Sequence, residues 1–313
     1  MMSLEFLENS KQESIIFLAP MADVNDYSFR KLCRQNGVSL CWTGFINAHH
    51  WVTRTKQRDR DVWFTTRDNE KNLVVQLLGS NLEELVSCAK DVENFCDMIE
   101  LNCGCTHCFA SRSGCGFFLI DTQKHRDSSL ILIQNLIKSI NKPVSIKIRL
   151  ISDDNSVPSL ERTVKFAKDL ERVGVSLITV HARTQQADKK GDVDYDAIKA
   201  VVEAVSVPVI ANGGISSLEQ AQEIIQRTGA YAVMAGQCFF KNPTCLTTNK
   251  NPKEISLEYL NLAKENNEDL QRSRKHVYAF LGDVLRQHPE YGPVVMQQKS
   301  YDDLIEWVKS IEI

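Results

Sequence analysis

Very little in this chain is extreme, and each missing feature removes a class of protein. No apolar run approaches the roughly 18 residues of a membrane span, so no membrane partner is expected. The stretch from Met1 to Gln12 is polar and acidic-tinged, without the apolar centre of a secretory leader or the arginine-rich pattern of an organellar one. Net charge is only -3, which gives no bulk case for nucleic-acid binding, although a local basic patch can sit inside a balanced total. Low-complexity segments are absent. The first strand-like run ends in Ala19-Pro20-Met21-Ala22-Asp23, with none of the glycines that a dinucleotide-binding turn requires. What remains is a cytoplasmic or nuclear protein whose ten cysteines are reduced, since a chain of 313 residues does not need disulfide staples.

The composition that is present, 43% hydrophobic and 25% charged, is that of a globular protein with a full core. Short Val/Ile/Leu-rich runs alternate with longer helical patterns. The runs are Ile15 to Ala19, Ser39 to Thr43, Leu73 to Leu77, Met98 to Leu101, Val144 to Ile148, Ser176 to Val180, Val207 to Ala211 and Tyr231 to Ala235. Asn25 or Asp26 can cap a helix to about Asn36, Asn81 one to about Phe95, and Gly174 closes one that starts near Leu160. Eight βα repeats with strands buried on both faces predict an α/β fold, a (β/α)8 TIM barrel. After Pro243 the pattern changes. Asn249-Lys250-Asn251-Pro252-Lys253 reads as a linker, followed by two or three helices and a terminal one. The expected division is a catalytic barrel over residues 1–246 and a small helical domain over 247–313.

In a barrel the chemistry sits at the C-terminal ends of the strands. Those ends carry Pro20 and Met21, Gln76, Asn102 with Cys103 and Cys105, Lys147-Ile148-Arg149, His181 and Arg183, Asn212-Gly213-Gly214, and Ala235-Gly236-Gln237. Backbone N–H groups at Gly213, Gly214 and Gly236 can approach a phosphate. Lys147 in mid-barrel calls for an anion, because a buried ammonium is costly without one. A reduced flavin carries negative charge on its pyrimidine edge, and the Gln76 amide could read that edge. The combination suggests FMN.

These motifs resemble the tRNA-dihydrouridine synthase family. Ala19 to Asp26 with Phe29-Arg30 is similar to the family's opening motif, and Asn102-Cys103-Gly104-Cys105-Thr106 to its Asn-x-Gly-Cys-Pro signature. Gly114-Cys115-Gly116, Lys147-Ile148-Arg149, His181-Ala182-Arg183-Thr184, Gly191 to Tyr195 and Ala211 to Gly214 follow in order and spacing. Met234-Ala235-Gly236 and Asn242-Pro243 match more loosely. The resemblance covers residues 15 to 246 and is greatest to the eukaryotic branch acting on D-loop positions 16 and 17. It implies a monomer with bound FMN, NADPH or NADH as reductant, and tRNA as substrate. Hydride then reaches C6 of an extruded uridine from flavin N5, and Cys105 protonates C5. Pro20, Met21, Gln76, Lys147, His181, Asn212, Gly213, Gly214, Ala235 and Gly236 would hold the cofactor. Asn102 and Arg183 would meet the substrate, as would Arg272, Arg274 and Lys275 of the helical tail. That tail is not basic overall, with nine Lys/Arg against eleven Asp/Glu from Thr247 onward. Thr106 stands where the family has proline and Gln237 where arginine is frequent, and His107-Cys108-Phe109 replaces a stretch that is often basic.

Other readings stay open at this point. Cys103, Cys105, Cys108 and Cys115, with His107 among them, could hold zinc or an iron–sulfur cluster, or all but Cys105 could be packing residues. A different FMN barrel acting on a small pyrimidine or enone, or a non-catalytic RNA-binding relative, would share the same fold.

Overall fold

A computed structural model describes residues 4–54, 64–67, 70–152, 158–187 and 191–312. Its strands are β1 Ile16–Leu18, β2 Cys41–Trp42, β3 Ile46–Asn47, β4 Leu73–Leu78, β5 Met98–Cys103, β6 Val144–Arg149, β7 Leu177–His181, β8 Val209–Asn212 and β9 Ala232–Ala235. All pair in parallel. β1 lies between β9 and β2, and β2 also pairs with β4, so the ring closes. β2 and β3 together make one stave, giving the eight-strand barrel expected. The register explains the break: Trp42 faces Val74 and Ile46 faces Leu77, so the second stave carries one residue more than its partner over this span. Thr43 bridges the resulting bulge, its N–H donating to the Val74 carbonyl (3.0 Å) and its Oγ1 accepting from the Gln76 N–H (3.1 Å).

Alternation along each strand sorts its residues into two sets. On β5, Ile99, Leu101 and Cys103 join the apolar layer between barrel and helices, whereas Met98 points into the barrel. The lower barrel is filled by Phe17, Trp42, Val74, Met98, Leu177, Ile210 and Met234. A helix at Glu5–Glu13 closes that end by inserting Leu7, which is buried. The polar look of the segment conceals this, since one leucine is enough to anchor it. Among the described residues no helix is long and apolar enough to cross a membrane.

The tail folds as helices Pro252–Glu265, Leu270–Phe280, Gly282–Gln287, Tyr291–Gln297 and Tyr301–Ser310, more pieces than the sequence pattern indicates. Pro293 does not break its helix. It lies in the first turn, where a missing N–H costs nothing. The tail and the barrel share one apolar core, pinned by Asp26. Its Oδ1 caps the Tyr27–Gln35 helix through the Phe29 N–H (2.8 Å). Its Oδ2 accepts from the Tyr259 hydroxyl (2.9 Å) and lies 3.0 Å from His276 Nε2, all three side chains being buried. Burial raises the Asp26 pKa, but His276 and the Phe29 N–H outweigh it and hold the carboxyl below its ordinary value.

Because the native pKa of Asp26 is depressed, its contribution is complete above the ordinary carboxylate range and is lost as pH falls through the native value. Asp26→Ala should therefore cost about 3–5 kcal/mol at neutral pH, by leaving His276 and Tyr259 buried without their partner. It should also flatten the acid side of the stability curve. Urea unfolding at a series of pH values measures both, and a midpoint unchanged at neutral pH would refute the role given to Asp26.

Candidate active site

Four residues beyond β5 the chain enters a short helix, Cys108–Ser113, and the turn between them presents Cys105 at the barrel mouth. The turn is clamped from three directions. From below, Asn102 Oδ1 accepts from the N–H groups of Gly104 (3.0 Å) and Cys105 (2.9 Å). From the side, Arg149 Nε donates to the Gly104 carbonyl (2.9 Å), while its Nη1 reaches the Thr184 carbonyl (2.9 Å). From behind, the Phe117 N–H donates to the Cys105 carbonyl (2.9 Å). Gly116 has φ +63°, and a Cβ there would sit 2.6 Å from the Cys105 carbonyl oxygen, so only glycine allows this approach.

The cysteines separate by direction. Cys103 is buried on the outer face of β5, where burial pushes its thiol well up. Cys115 is buried behind the turn, its thiol pushed up to about 11. Cys105 is half-buried at the mouth, packed near Phe45, Phe109 and Phe118. Cys108 departs from the packing role expected of it: it is exposed, with Sγ 3.6 Å from His107 Nδ1. With Cys103 and Cys115 in different apolar clusters, the four thiols do not converge on one point. Among the described residues no group of three or more His, Cys, Asp or Glu side chains is placed to hold a metal.

Inside the mouth lies a polar layer. Gln76 and Asn102 join through Asn102 Nδ2 and Gln76 Oε1 (2.9 Å), and Gln76 Nε2 donates to Glu100 (2.7 Å). Lys147 Nζ donates to Asn212 Oδ1 (2.7 Å), whose Nδ2 donates to the Met234 carbonyl (2.8 Å). Burial pushes Glu100 up to about 7, against the pull of Lys147 and Gln76. Burial also pulls Lys147 down to about 8, against the pull of Glu100. Each charge in this pair is disfavoured by burial and rescued by the other.

The opposite side of the mouth is a glycine cradle. Gly213 has φ +120°, and a Cβ on it would lie 3.1 Å from His181 Cδ2 and 3.3 Å from Arg183 Nη1. Tyr195 Oη donates to the Gly213 carbonyl (3.0 Å), and Arg183 Nε to that of Gly191 (2.5 Å). At the closing seam a Cβ on Gly236 would lie 3.2 Å from both Ala19 Cβ and Met21 Sδ, which brings Pro20, Met21, Ala235 and Gly236 together. Registers Asn102–Lys147, Arg149–His181, His181–Asn212 and Asn212–Met234 run the site residues around one rim.

The helical-tail cluster expected to meet the substrate is only partly exposed. Arg272 is buried and faces Asp26 rather than solvent. Arg274 is tied to the Gln298 carbonyl and is half-buried, leaving only Lys275 exposed. Three residues take roles that the sequence pattern leaves unassigned. Glu100 shares the inward face with Asn102, and the two-residue period of β5 was the available signal. Arg149 shares its face with Lys147 in the same way. Asn25 donates to the carbonyls of both Ala19 and Trp42 (2.7 Å each), tying the ends of β1 and β2 instead of capping a helix; no sequence signal separates that from a cap.

A family model described as Dihydrouridine synthase (Dus) matches residues 17–304. The Mus musculus protein named tRNA-dihydrouridine(16/17) synthase NAD(P)(+)-like is 31% identical over 277 residues, covering 87% of this chain and 56% of that protein. The Homo sapiens tRNA-dihydrouridine(20a/20b) synthase NAD(P)+-like protein is 34% identical over 248 residues, 79% of this chain and 75% of its own. Against tRNA-dihydrouridine synthase B of Pasteurella multocida the identity is 32%, over 73% of this chain and 66% of that one. The chain thus spans somewhat over half the length, 56% and 61%, of the mouse and rat relatives it matches. Among solved structures, histamine dehydrogenase from Rhizobium sp. 4-9 superimposes with a TM-score of 0.56 at 11% identity, over 85% of this chain and 49% of that one. The old yellow enzyme homologue from Zymomonas mobilis gives 0.51 at 12% identity, over 74% of this chain and 86% of that one, a likeness of fold. With the matched model running through nearly all of the barrel and most of the tail, the chain belongs to the dihydrouridine synthase family.

Proposed function

We propose that this protein is a flavin-dependent tRNA-dihydrouridine synthase, reducing the C5–C6 bond of a uridine with FMN as cofactor and NADPH or NADH as reductant. One observation carries the reading. A half-buried thiol is clamped at the end of β5, on the same rim as a glycine cradle on β8 and with a lysine ammonium between them. FMN fits that space. Its phosphate suits the backbone at Gly213, Gly214 and Gly236, where side chains would fill the cradle. Its pyrimidine edge suits Lys147, which keeps some exposure to the mouth. Pro20, Met21 and Ala235 would wall the ring, with Gln76 and His181 on its polar side.

Bound flavin supplies hydride transfer from the nicotinamide to uridine C6. The remaining steps belong to the protein. Cys105 holds a proton at Sγ and delivers it to C5, the part of a general acid, which a thiol can play. Arg149, Asn102 and Gly116 hold the backbone of the turn that carries Cys105. Arg183 and Asn102 meet the extruded base, whose removal from its stack needs an open pocket. Lys147 offsets negative charge on the ring. In this reading residues 1–246 are the catalytic barrel and 247–313 the part that meets tRNA, with Lys275 able to reach phosphate. The D-loop positions 16 and 17 are our assignment, supported by the name of the mouse relative.

Three outcomes test the reading. Cys105→Ala should leave the purified protein yellow and lower uridine reduction by about 10²–10⁴-fold, while Cys103→Ala keeps it; a colourless protein that FMN cannot reconstitute would end the proposal. The Lys147 ammonium persists below about 8 and is lost as pH rises through that value. Reduction of bound flavin by NADPH should therefore slow above that pH, and Lys147→Met should remove the dependence, as stopped-flow absorbance would report. Mapping dihydrouridine in tRNA from cells lacking the protein should show losses at positions 16 and 17; losses elsewhere would correct the position.

A further inference from the structure

Beneath the Cys105 turn a hydrogen-bond chain descends into the barrel and ends on a carboxylate that the chemistry above does not use. Glu100 is fully buried. Its Oε1 accepts from Gln76 Nε2 (2.7 Å), and its Oε2 lies 3.4 Å from both Ser145 Oγ and Thr179 Oγ1. Gln76 Oε1 accepts from Asn102 Nδ2 (2.9 Å), and Asn102 Oδ1 accepts from the backbone of Gly104 and Cys105.

Side-chain amides are nearly symmetrical in shape and opposite in hydrogen-bond sense at their two ends. Two of them in series can run either way unless both ends of the series are fixed. Here the upper end is two backbone N–H groups, which only donate. The lower end is a carboxylate, which when ionised only accepts. With both ends fixed, one sense satisfies every atom. If position 100 offered no acceptor, Gln76 Nε2 would be buried without a partner. Turning the Gln76 amide to escape that would set its NH₂ against the NH₂ of Asn102, and turning Asn102 in response would withdraw the oxygen from beneath the Cys105 turn.

We propose that Glu100 is a positioning residue for Cys105, holding the Gln76 and Asn102 amides in the one sense that places an acceptor under the Gly104 and Cys105 N–H groups. This rests on the reading of Cys105 as the proton donor. Acting through two amides, Glu100 never meets the substrate.

The test uses the intact flavoprotein with Glu100→Gln, Glu100→Leu, Gln76→Leu and the Glu100→Leu/Gln76→Leu double variant. Alkylation of each cysteine by iodoacetamide is followed by peptide mass spectrometry, so that exposed Cys108 and buried Cys103 and Cys115 are internal references. Glu100→Leu should raise the Cys105 rate at least about threefold with the references unchanged, and lower kcat for uridine reduction about tenfold with KM for tRNA within about twofold. Glu100→Gln, which offers both a donor and an acceptor, should fall between wild type and Glu100→Leu, and it carries the test if Glu100→Leu does not fold. The double variant should be no worse than Gln76→Leu alone, since one break already severs the chain. Wild-type Cys105 reactivity in both Glu100 variants, multiplied effects in the double variant, or a parallel rise at Cys103 and Cys115 would each overturn the proposal. If wild type reduces no uridine, the functional reading fails, while the alkylation series still judges the positioning.

Discussion

A lysine ammonium near the axis of a closed barrel is the constraint on which the upper half of this molecule depends. Such a group is tolerated only with a counter-charge and hydrogen-bond acceptors. Both are present: Glu100 on the preceding strand opposes the desolvation of Lys147, and Asn212 two strands further on accepts its hydrogen bond. Each partner then needs partners of its own. Asn212 is held by the Met234 carbonyl, and Glu100 by Gln76, Ser145 and Thr179. The polar layer is the consequence of one cation, and it divides the barrel into an apolar lower half and a polar mouth.

The same logic of shared partners operates between barrel and tail. Asp26 serves a helix cap, a tyrosine and a histidine at once, so the helical part is attached through a side chain whose backbone opens the first barrel helix. A neighbouring link runs through Glu268, which accepts from the N–H and hydroxyl of Ser28 (3.0 and 3.1 Å) and is pushed up to about 7, chiefly by burial. These contacts leave little freedom between the two parts. The tail is therefore packed against the barrel through buried, shared hydrogen bonds as well as through the common apolar core.

Strand composition and period made the barrel legible, because continuous Val/Ile/Leu runs have few other uses in a chain of alternating elements. They also made the rim legible, since a polar residue closing such a run has a known direction. Three things escaped. The break in the second stave is a matter of register against β4, which no local pattern encodes. The Leu7 plug depends on one side chain meeting the open end of a barrel formed by residues far along the chain. The Arg272-Ser273-Arg274-Lys275-His276 run looks like a basic patch in one dimension. On a helix, however, Arg272, Ser273 and His276 share a face, and that face is the buried one.

Thr106 shows how tertiary contacts can replace a local restraint. A proline after Cys105 would fix φ and so stiffen the turn from within. Here the turn is restrained from outside, by Asn102 beneath it, Arg149 beside it and the Phe117 N–H behind it. The Arg149 clamp extends further, to the Thr184 carbonyl beyond β7. The position of Cys105 is thereby referenced to three strands and to the segment before the next helix. A chain that takes its rigidity from such surroundings can dispense with the proline, provided that each of those hydrogen bonds is kept in its proper sense.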